Sequence, residues 1–162
     1  MAMLFQLELA GQTSTLAIAN RYFYVLEDGS FLPIRVWPAW CEHCEKFTPA
    51  EQIFPIAEEA RELCDVEYFA EHPGLIPPDR HTPIRQIPEL RLRNRWRAQR
   101  VSSEKCLACG STQVTMIWPG LEVDIPGRGK CVASFRGWAD MSGPPDLYYS
   151  PEGDRLEFSL DR

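Results

Sequence analysis

The sequence lacks long apolar runs, an excess of basic charge and a rich supply of histidine. No segment approaches the roughly 20 consecutive apolar residues that span a bilayer, so we expect no membrane partner. The net charge of -6 argues against a protein whose whole surface is built for nucleic acid, because phosphate binding depends on basic residues. Of the three histidines, we interpret His43 as exposed between two cysteines, and His72 and His81 as solvated loop residues.

Residues 1–10 also lack the features of a secretory signal. They contain no basic segment, and Glu8 interrupts the apolar run. Six cysteines could form three disulfides in a secreted chain, but two closely spaced Cys-x-x-Cys pairs without a signal favour a reducing compartment and a metal. We therefore expect a cytoplasmic protein.

The composition is that of a folded chain. With 162 residues, 44% of them hydrophobic, it can bury a core of its own. We expect a single domain over residues 1–162, in which a metal would support the fold locally and would not replace a core.

The two Cys-x-x-Cys pairs, Cys41–Cys44 and Cys106–Cys109, are the most informative motif, and we call them the first and second knuckle. Four thiolates suit a tetrahedral Zn²⁺ ion and leave no open coordination position, so they predict a structural zinc site. A redox pair is the alternative, but the βαβ context of a thioredoxin-type motif is missing. The knuckles are separated by 61 residues (45–105), against roughly 15 to 20 in a compact ribbon.

The segments around the knuckles have the patterns of β-strands. Residues 21–26 and 31–36 flank an Asp28-Gly29 turn, which predicts a hairpin that leads into the first knuckle. Gly110 and an expected strand over 113–118 follow the second knuckle. This arrangement resembles the zinc-ribbon group, whose members serve as stabilisers, nucleic-acid binders, docking modules or parts of enzymes. Further strands are predicted over 130–135, with a closing hairpin over 148–160.

Between the knuckles the pattern becomes helical. Thr48-Pro-Ala-Glu51 reads as a capping box that starts a helix, and Pro55 forces a kink or a restart. Helices are expected over 56–70 and 88–100, joined by a proline-rich loop over 72–83. The predicted fold class is α+β: a zinc-ribbon-like antiparallel β core (1–47 and 102–162) with a two-helix insertion (48–101).

The other two cysteines and one glycine-rich turn have simple interpretations. Cys64 lies on the expected apolar face of the first helix and Cys131 in a strand, so we expect both to be buried as small hydrophobic residues. A nucleophilic Cys64 paired with His72 or His81 is the alternative, but no activating motif supports it. Residues 127–130, Gly-Arg-Gly-Lys, fail the phosphate-loop pattern and predict a basic turn.

The insertion is strongly polarised in charge. Residues 51–71 carry seven acidic residues against Arg61 alone, and residues 80–100 carry seven arginines against Glu89. The second helix could therefore present a binding face for phosphates with an aromatic ring for stacking, or it could pair with the acidic helix and bury its tryptophan. The candidate binding residues are Arg91, Arg93, Arg95, Trp96, Arg97 and Arg100.

No catalytic constellation is visible, whether a paired-carboxylate motif, an open metal site or a nucleophile elbow. The sequence thus favours a non-enzymatic adaptor that binds a protein partner through the inserted helices. The first alternative is a nucleic-acid-binding protein that uses helix 88–100. The second is an enzyme that uses Cys64 or the loop histidines.

Overall fold

The structure, a computed structural model, describes residues 1–72, 83–140 and 145–157. Its strands are β1 (Ala2–Leu9), β2 (Gln12–Ile18), β3 (Arg21–Val25), β4 (Phe31–Pro33), β5 (Val36–Cys41), β6 (Lys46–Glu51), β7 (Val114–Met116), β8 (Glu122–Ile125), β9 (Gly129–Ala139), β10 (Asp146–Tyr149) and β11 (Arg155–Leu156). Helix α1 spans Ile56–Glu71, and a 3-10 turn (Pro83–Gln86) leads into helix α2 (Ile87–Gln99). Over these residues the fold class is α+β, and none of the helices has the length and apolar character to cross a membrane.

The strands form three small sheets. The first has the order β2-β1-β9-β8 and the third the order β6-β5-β7, and the neighbouring strands in both are antiparallel. The second sheet has the order β11-β10-β3-β4, in which β10 runs parallel to β3. The β3–β4 hairpin matches the expectation from Asp28-Gly29, and Gly29 has a φ of 78°.

The strands that carry the knuckles meet in the third sheet. The first knuckle is the turn between β5 and β6, because Cys41 is paired with Lys46. The second knuckle is joined to the same sheet by a bridge between Cys106 and Ala50 on β6, and by β7, whose Val114 is paired with Cys41. Two segments far apart in sequence are thereby brought together at one end of β5.

The predicted capping box at residues 48–51 is wrong. These residues form the second half of β6, and α1 begins only at Ile56, after the restart expected at Pro55. The Thr48 and Glu51 side chains are buried, and neither caps a helix. A strand forms instead because every residue from Lys46 to Glu51 has a partner on β5.

Helix α1 buries a different face from the predicted one. Cys64 is exposed, contrary to the expectation that it would be buried, and Ile56 is also exposed. The side chain that α1 buries completely is Glu59. Glu59 can be buried because Arg35 lies 3.4 Å from its carboxylate, while the Asn94 amide of α2 donates to its backbone carbonyl.

The interior is one hydrophobic cluster that includes residues of all three sheets and of α2. Its members include Phe5 and Leu7 on β1, Tyr24 on β3, Trp40 on β5 and Trp96 on α2. Leu107 of the second knuckle belongs to the same cluster. Cys131 is buried in β9, as predicted.

Several predictions concern residues outside the described ranges. These are most of the proline-rich loop 72–83, which includes Arg80 and His81, and the last residues of the closing hairpin. Of that hairpin, the structure shows β10, the turn at 151–154 and β11.

Candidate metal centre

The four knuckle cysteines lie in one cluster, in which every sulfur is within 4.8 Å of the others. The Cys41 and Cys109 sulfurs are 3.6 Å apart, and those of Cys44 and Cys106 are 3.9 Å apart. With Zn–S bonds of about 2.3 Å, the sulfurs of a tetrahedral site are about 3.8 Å apart. A disulfide would need about 2.05 Å, so the cysteines stand at metal-ligand spacing and are not bonded to one another.

The backbone turns sharply at the residue after each knuckle. Glu45 has a φ of 49° and Gly110 a φ of 77°. The N–H of Gly110 donates to the carbonyl of Cys106 over 2.8 Å, which closes the second turn. Both knuckles are therefore followed by a residue in the left-handed region of backbone conformation.

The cluster is half inside the protein and half at its surface. Cys41 and Cys106 are buried, Cys44 is half-buried and Cys109 is exposed. Burial raises the pKa of the Cys41 and Cys44 thiols, and sulfur–sulfur hydrogen bonds raise both further. A metal therefore has to displace protons from these thiols, which makes binding depend on pH.

Cys106 differs from its neighbours. Its burial acts to raise the pKa, but hydrogen bonds from the Thr48 hydroxyl and from the backbone N–H groups of Ala108 and Cys109 outweigh this, and its pKa lies below the usual range. The Thr48 hydroxyl lies 3.3 Å from Cys106 Sγ, so it can donate to a thiolate. Thr48, misread in sequence as a helix cap, is thus part of the cluster's surroundings.

Four sulfurs form a complete ligand set for a tetrahedral metal ion and leave no open position for substrate. The cluster is therefore compatible with a structural metal site. His43 is exposed, as predicted from its place between the two ligands of the first knuckle.

Three of the six residues proposed for a binding face on α2 lie inside the protein. Arg93, Trp96 and Arg100 are 2%, 4% and 5% exposed. Trp96 stacks on Tyr24 with 4.6 Å between ring centroids, and its indole N–H donates to the Pro151 carbonyl over 2.8 Å. These three side chains do not face a ligand from the surface.

Arg100 forms a buried ion pair with Glu51, and both side chains are 0% exposed. Its two terminal nitrogens donate to the two carboxylate oxygens over 3.0 and 2.7 Å. The same carboxylate accepts from the Tyr24 hydroxyl over 2.7 Å and from the backbone N–H of Lys105, next to Cys106, over 2.9 Å. Burial and this carboxylate raise the pKa of Tyr24 well above its usual range.

The remaining three candidates are at the surface or half-buried. Arg91 pairs with Glu67 of α1 over 2.7 Å, and Arg97 donates to the Phe54 carbonyl over 2.8 Å. Arg95 is exposed and makes no hydrogen bond or ion pair with the part of the chain that the structure describes. The two helices pack together, with Arg91 facing an acidic residue as the pairing interpretation expected.

The sequence did not identify the residues that connect the second knuckle to the buried Arg100 side chain. Tyr24, Glu51 and Gly153 surround the Arg100 guanidinium or its partner, yet they come from three distant segments. Gly153 has a φ of 82°, and a Cβ atom there would lie 2.9 Å from the Glu51 carboxyl carbon. No local pattern could have identified this set, because its members share neither a spacing nor a residue type.

Neither protein-family models nor curated proteins nor solved structures match the chain.

Proposed function

We propose that this chain is a non-enzymatic binding or adaptor protein whose fold is fastened by one structural Zn²⁺ ion on Cys41, Cys44, Cys106 and Cys109. The sulfur–sulfur distances carry the metal assignment, because they match the edges of a four-sulfur tetrahedron. Soft thiolates in a closed tetrahedral set select zinc or an iron–sulfur centre and disfavour magnesium, calcium and manganese.

A binding role is favoured over catalysis for two reasons. Four thiolates would fill the coordination sphere of the metal, and the candidate reactive residues Cys64 and His72 lack the surroundings of an active site in the part of the chain that the structure describes. Cys64 is exposed and forms no hydrogen bond with any described residue. His72 Nδ1 is already 2.8 Å from the Tyr68 carbonyl, and the ring stacks on Tyr68. Among the described residues, Cys64 has no base within hydrogen-bond distance that could activate it as a nucleophile.

Nucleic acid is the less favoured partner because α2 directs its charge inward. Of the six candidate residues, Arg95 alone is exposed without a hydrogen bond or ion pair inside the described structure. One such arginine, which also interacts electrostatically with Asp28, cannot neutralise a run of phosphates. A protein or a small ligand is the better fit to a surface that carries net charge -6.

The metal assignment is tested by measuring zinc in protein purified without added metal, by mass spectrometry of the element. We expect about one ion per chain, retained by Cys64→Ser and lost from Cys109→Ser. The two variants are matched, since both remove an exposed thiol. Less than about half an ion per chain, or equal zinc in both variants, would contradict the assignment.

The choice between partners is tested with the same zinc-loaded protein. A labelled single-stranded oligonucleotide is titrated at low and at physiological salt. We expect no binding that weakens steeply with salt. Salt-sensitive binding that disappears in an Arg91→Glu, Arg95→Glu variant would favour nucleic acid instead.

A further inference from the structure

A pocket of about 380 Å³ lies beside the first knuckle, where three turns of the chain meet. We name it the Trp40 pocket; it is lined by Leu9, Trp40, Glu45, Lys46, Phe47 and Arg128, among others. Its volume is within the range of about 300–1,000 Å³ found for small-molecule sites. Its walls come from the β1–β2 turn, the β5–β6 turn and the basic 127–130 turn.

The pocket has a positive balance in an acidic protein. Lys46 is exposed and forms no ion pair within the described ranges, while Arg128 lies 5.4 Å from the centre of the Trp40 ring. The sole carboxylate among the lining residues is that of Glu45, and it binds Arg128 over 3.1 Å. One cation in the wall is therefore left without a counter-charge.

Trp40 belongs to the pocket wall, but its N–H is buried below the pocket surface. Trp40 is 5% exposed, and its indole Nε1 is inaccessible to solvent and has no hydrogen-bond partner among the described residues. The indole N–H is therefore a reporter beside the pocket and not a donor to a ligand in it. An anionic oxygen in the pocket would instead pair with Lys46, the cation without a counter-charge.

Glu45 appears at a position where glycine would fit more easily. Its φ of 49° lies in the left-handed region, as does the 77° of Gly110 after the other knuckle, and residues other than glycine rarely adopt this conformation. The carboxylate at this position holds the Arg128 guanidinium across the Trp40 ring. The first knuckle thus carries a side chain that shapes the pocket wall.

We propose that the Trp40 pocket binds a small organic oxyanion, with the anionic group at Lys46 and Arg128 and the apolar body against Leu9 and Phe47. Carboxylates and phosphate esters share this chemistry. The proposal rests on the proposed function only in that the first knuckle must keep its shape, and it goes beyond that function by naming a ligand class.

The test uses zinc-loaded protein with ¹⁵N-labelled tryptophan and follows the Trp40 indole N–H signal, assigned from Trp40→Phe. Phenyl phosphate, benzoate and neutral benzyl alcohol are titrated separately. We expect a saturable shift with at least one of the two anions, with Kd about 1 mM or lower, and no saturable shift with the alcohol. The stronger of the two anions identifies the ligand as a phosphate ester or a carboxylate.

The pocket residues are tested with a matched pair of changes. Lys46→Ala combined with Arg128→Ala should weaken anion binding about tenfold or more. Lys130→Ala should leave it unchanged, because this lysine belongs to the same turn but pairs with Glu122. Metal content is measured for each protein, so that loss of zinc is distinguished from loss of the anion.

The inference is overturned if metal-loaded wild-type protein gives no saturable shift with either anion up to about 20 mM. This concentration is well above the expected Kd, so a specific site would be saturated. The inference is also overturned if the alcohol binds as well as the anions, or if the Lys130 variant loses binding while the double variant keeps it. Each of these outcomes leaves the zinc assignment standing, because that assignment depends on metal content alone.

Discussion

Replacing Arg100 with alanine should destabilise the protein severely, because the change leaves the Glu51 carboxylate buried without its cation. The side chains of both residues are 0% exposed. The five N–H groups of the guanidinium make six hydrogen-bond contacts, to the Glu51 carboxylate, the Tyr24 hydroxyl and the backbone carbonyls of Pro151, Ser102 and Ser103. Breaking a buried pair by removing one partner costs about 3–5 kcal/mol, a large share of the roughly 5–15 kcal/mol that stabilise a whole domain.

Arg91→Ala is the matched control on the same helix. Its ion pair with Glu67 is at the surface, where the two side chains are 64% and 34% exposed. Solvent screens such a pair, and its loss should cost about 0–1 kcal/mol. The measurement is urea unfolding followed by tryptophan fluorescence at fixed free zinc, because bound metal adds stability by mass action.

If Arg100→Ala does not fold, a double variant still tests the same reasoning. Glu51→Leu with Arg100→Met removes both charges together and puts apolar side chains in their place, and such replacements are often neutral or stabilising. We expect the double variant to be more stable than Arg100→Ala. The reasoning is refuted if Arg100→Ala costs no more than Arg91→Ala, or if the double variant is no more stable than the single one.

Two further predictions concern Gly153 and Glu59. Gly153→Ala should destabilise the protein more than Gly29→Ala in the same unfolding assay. Both glycines have φ near 80°, but only a Cβ at position 153 would meet the Glu51 carboxylate, at 2.9 Å from its Cδ. Equal losses of stability in the two variants would contradict this. Burial, only partly offset by Arg35, raises the pKa of Glu59, so its stability contribution is fully present below about pH 4.3 and is lost as the pH rises through the raised pKa. Glu59→Gln should therefore gain stability relative to the wild type between pH 4 and 7, and a difference that does not change with pH would count against it.

The cysteine cluster could be predicted from sequence because its chemistry is local. Each Cys-x-x-Cys pair places two sulfurs on one turn, and the strand after the second pair follows from the pattern of its own residues. The β3–β4 hairpin was predictable for the same reason, since Asp28-Gly29 specifies its own turn. Helices α1 and α2 likewise follow from patterns within single segments.

The capping box failed because its residues satisfy two different patterns. Thr48 and Glu51 have the spacing of a helix N-terminus, but their partners come from β5, Arg100 and the backbone of Lys105. The prediction of the buried face of α1 failed for a similar reason, because Arg35 and Asn94 make it favourable to bury Glu59 in place of Cys64. In both cases distant residues decide between patterns that are equally good locally.

In the arginine-rich segment, periodicity predicts which side chains share a face but not where that face points. Arg93, Arg97 and Arg100 share one helical face by their spacing, and the structure places Arg93 and Arg100 inside. Spacing identifies which side chains belong together but not which way their face is turned. That orientation depends on Glu51, the first residue of the acidic segment 51–71, and on the carbonyls of Pro33 and Phe54.

The metal site and the Glu51–Arg100 pair close nearly the same loop. The knuckles are separated by 61 residues (45–105), and Glu51 and Arg100 by 48 (52–99). Closing a loop of this size by a cross-link is worth about 4 kcal/mol by chain entropy alone. Because Lys105 joins the Glu51 carboxylate directly to Cys106, either connection already places the other's residues in contact, so their contributions should not add. A metal bound by the cluster would therefore be needed less to close the long insertion than to hold the first knuckle, whose turn carries Glu45 and Lys46 into the wall of the Trp40 pocket.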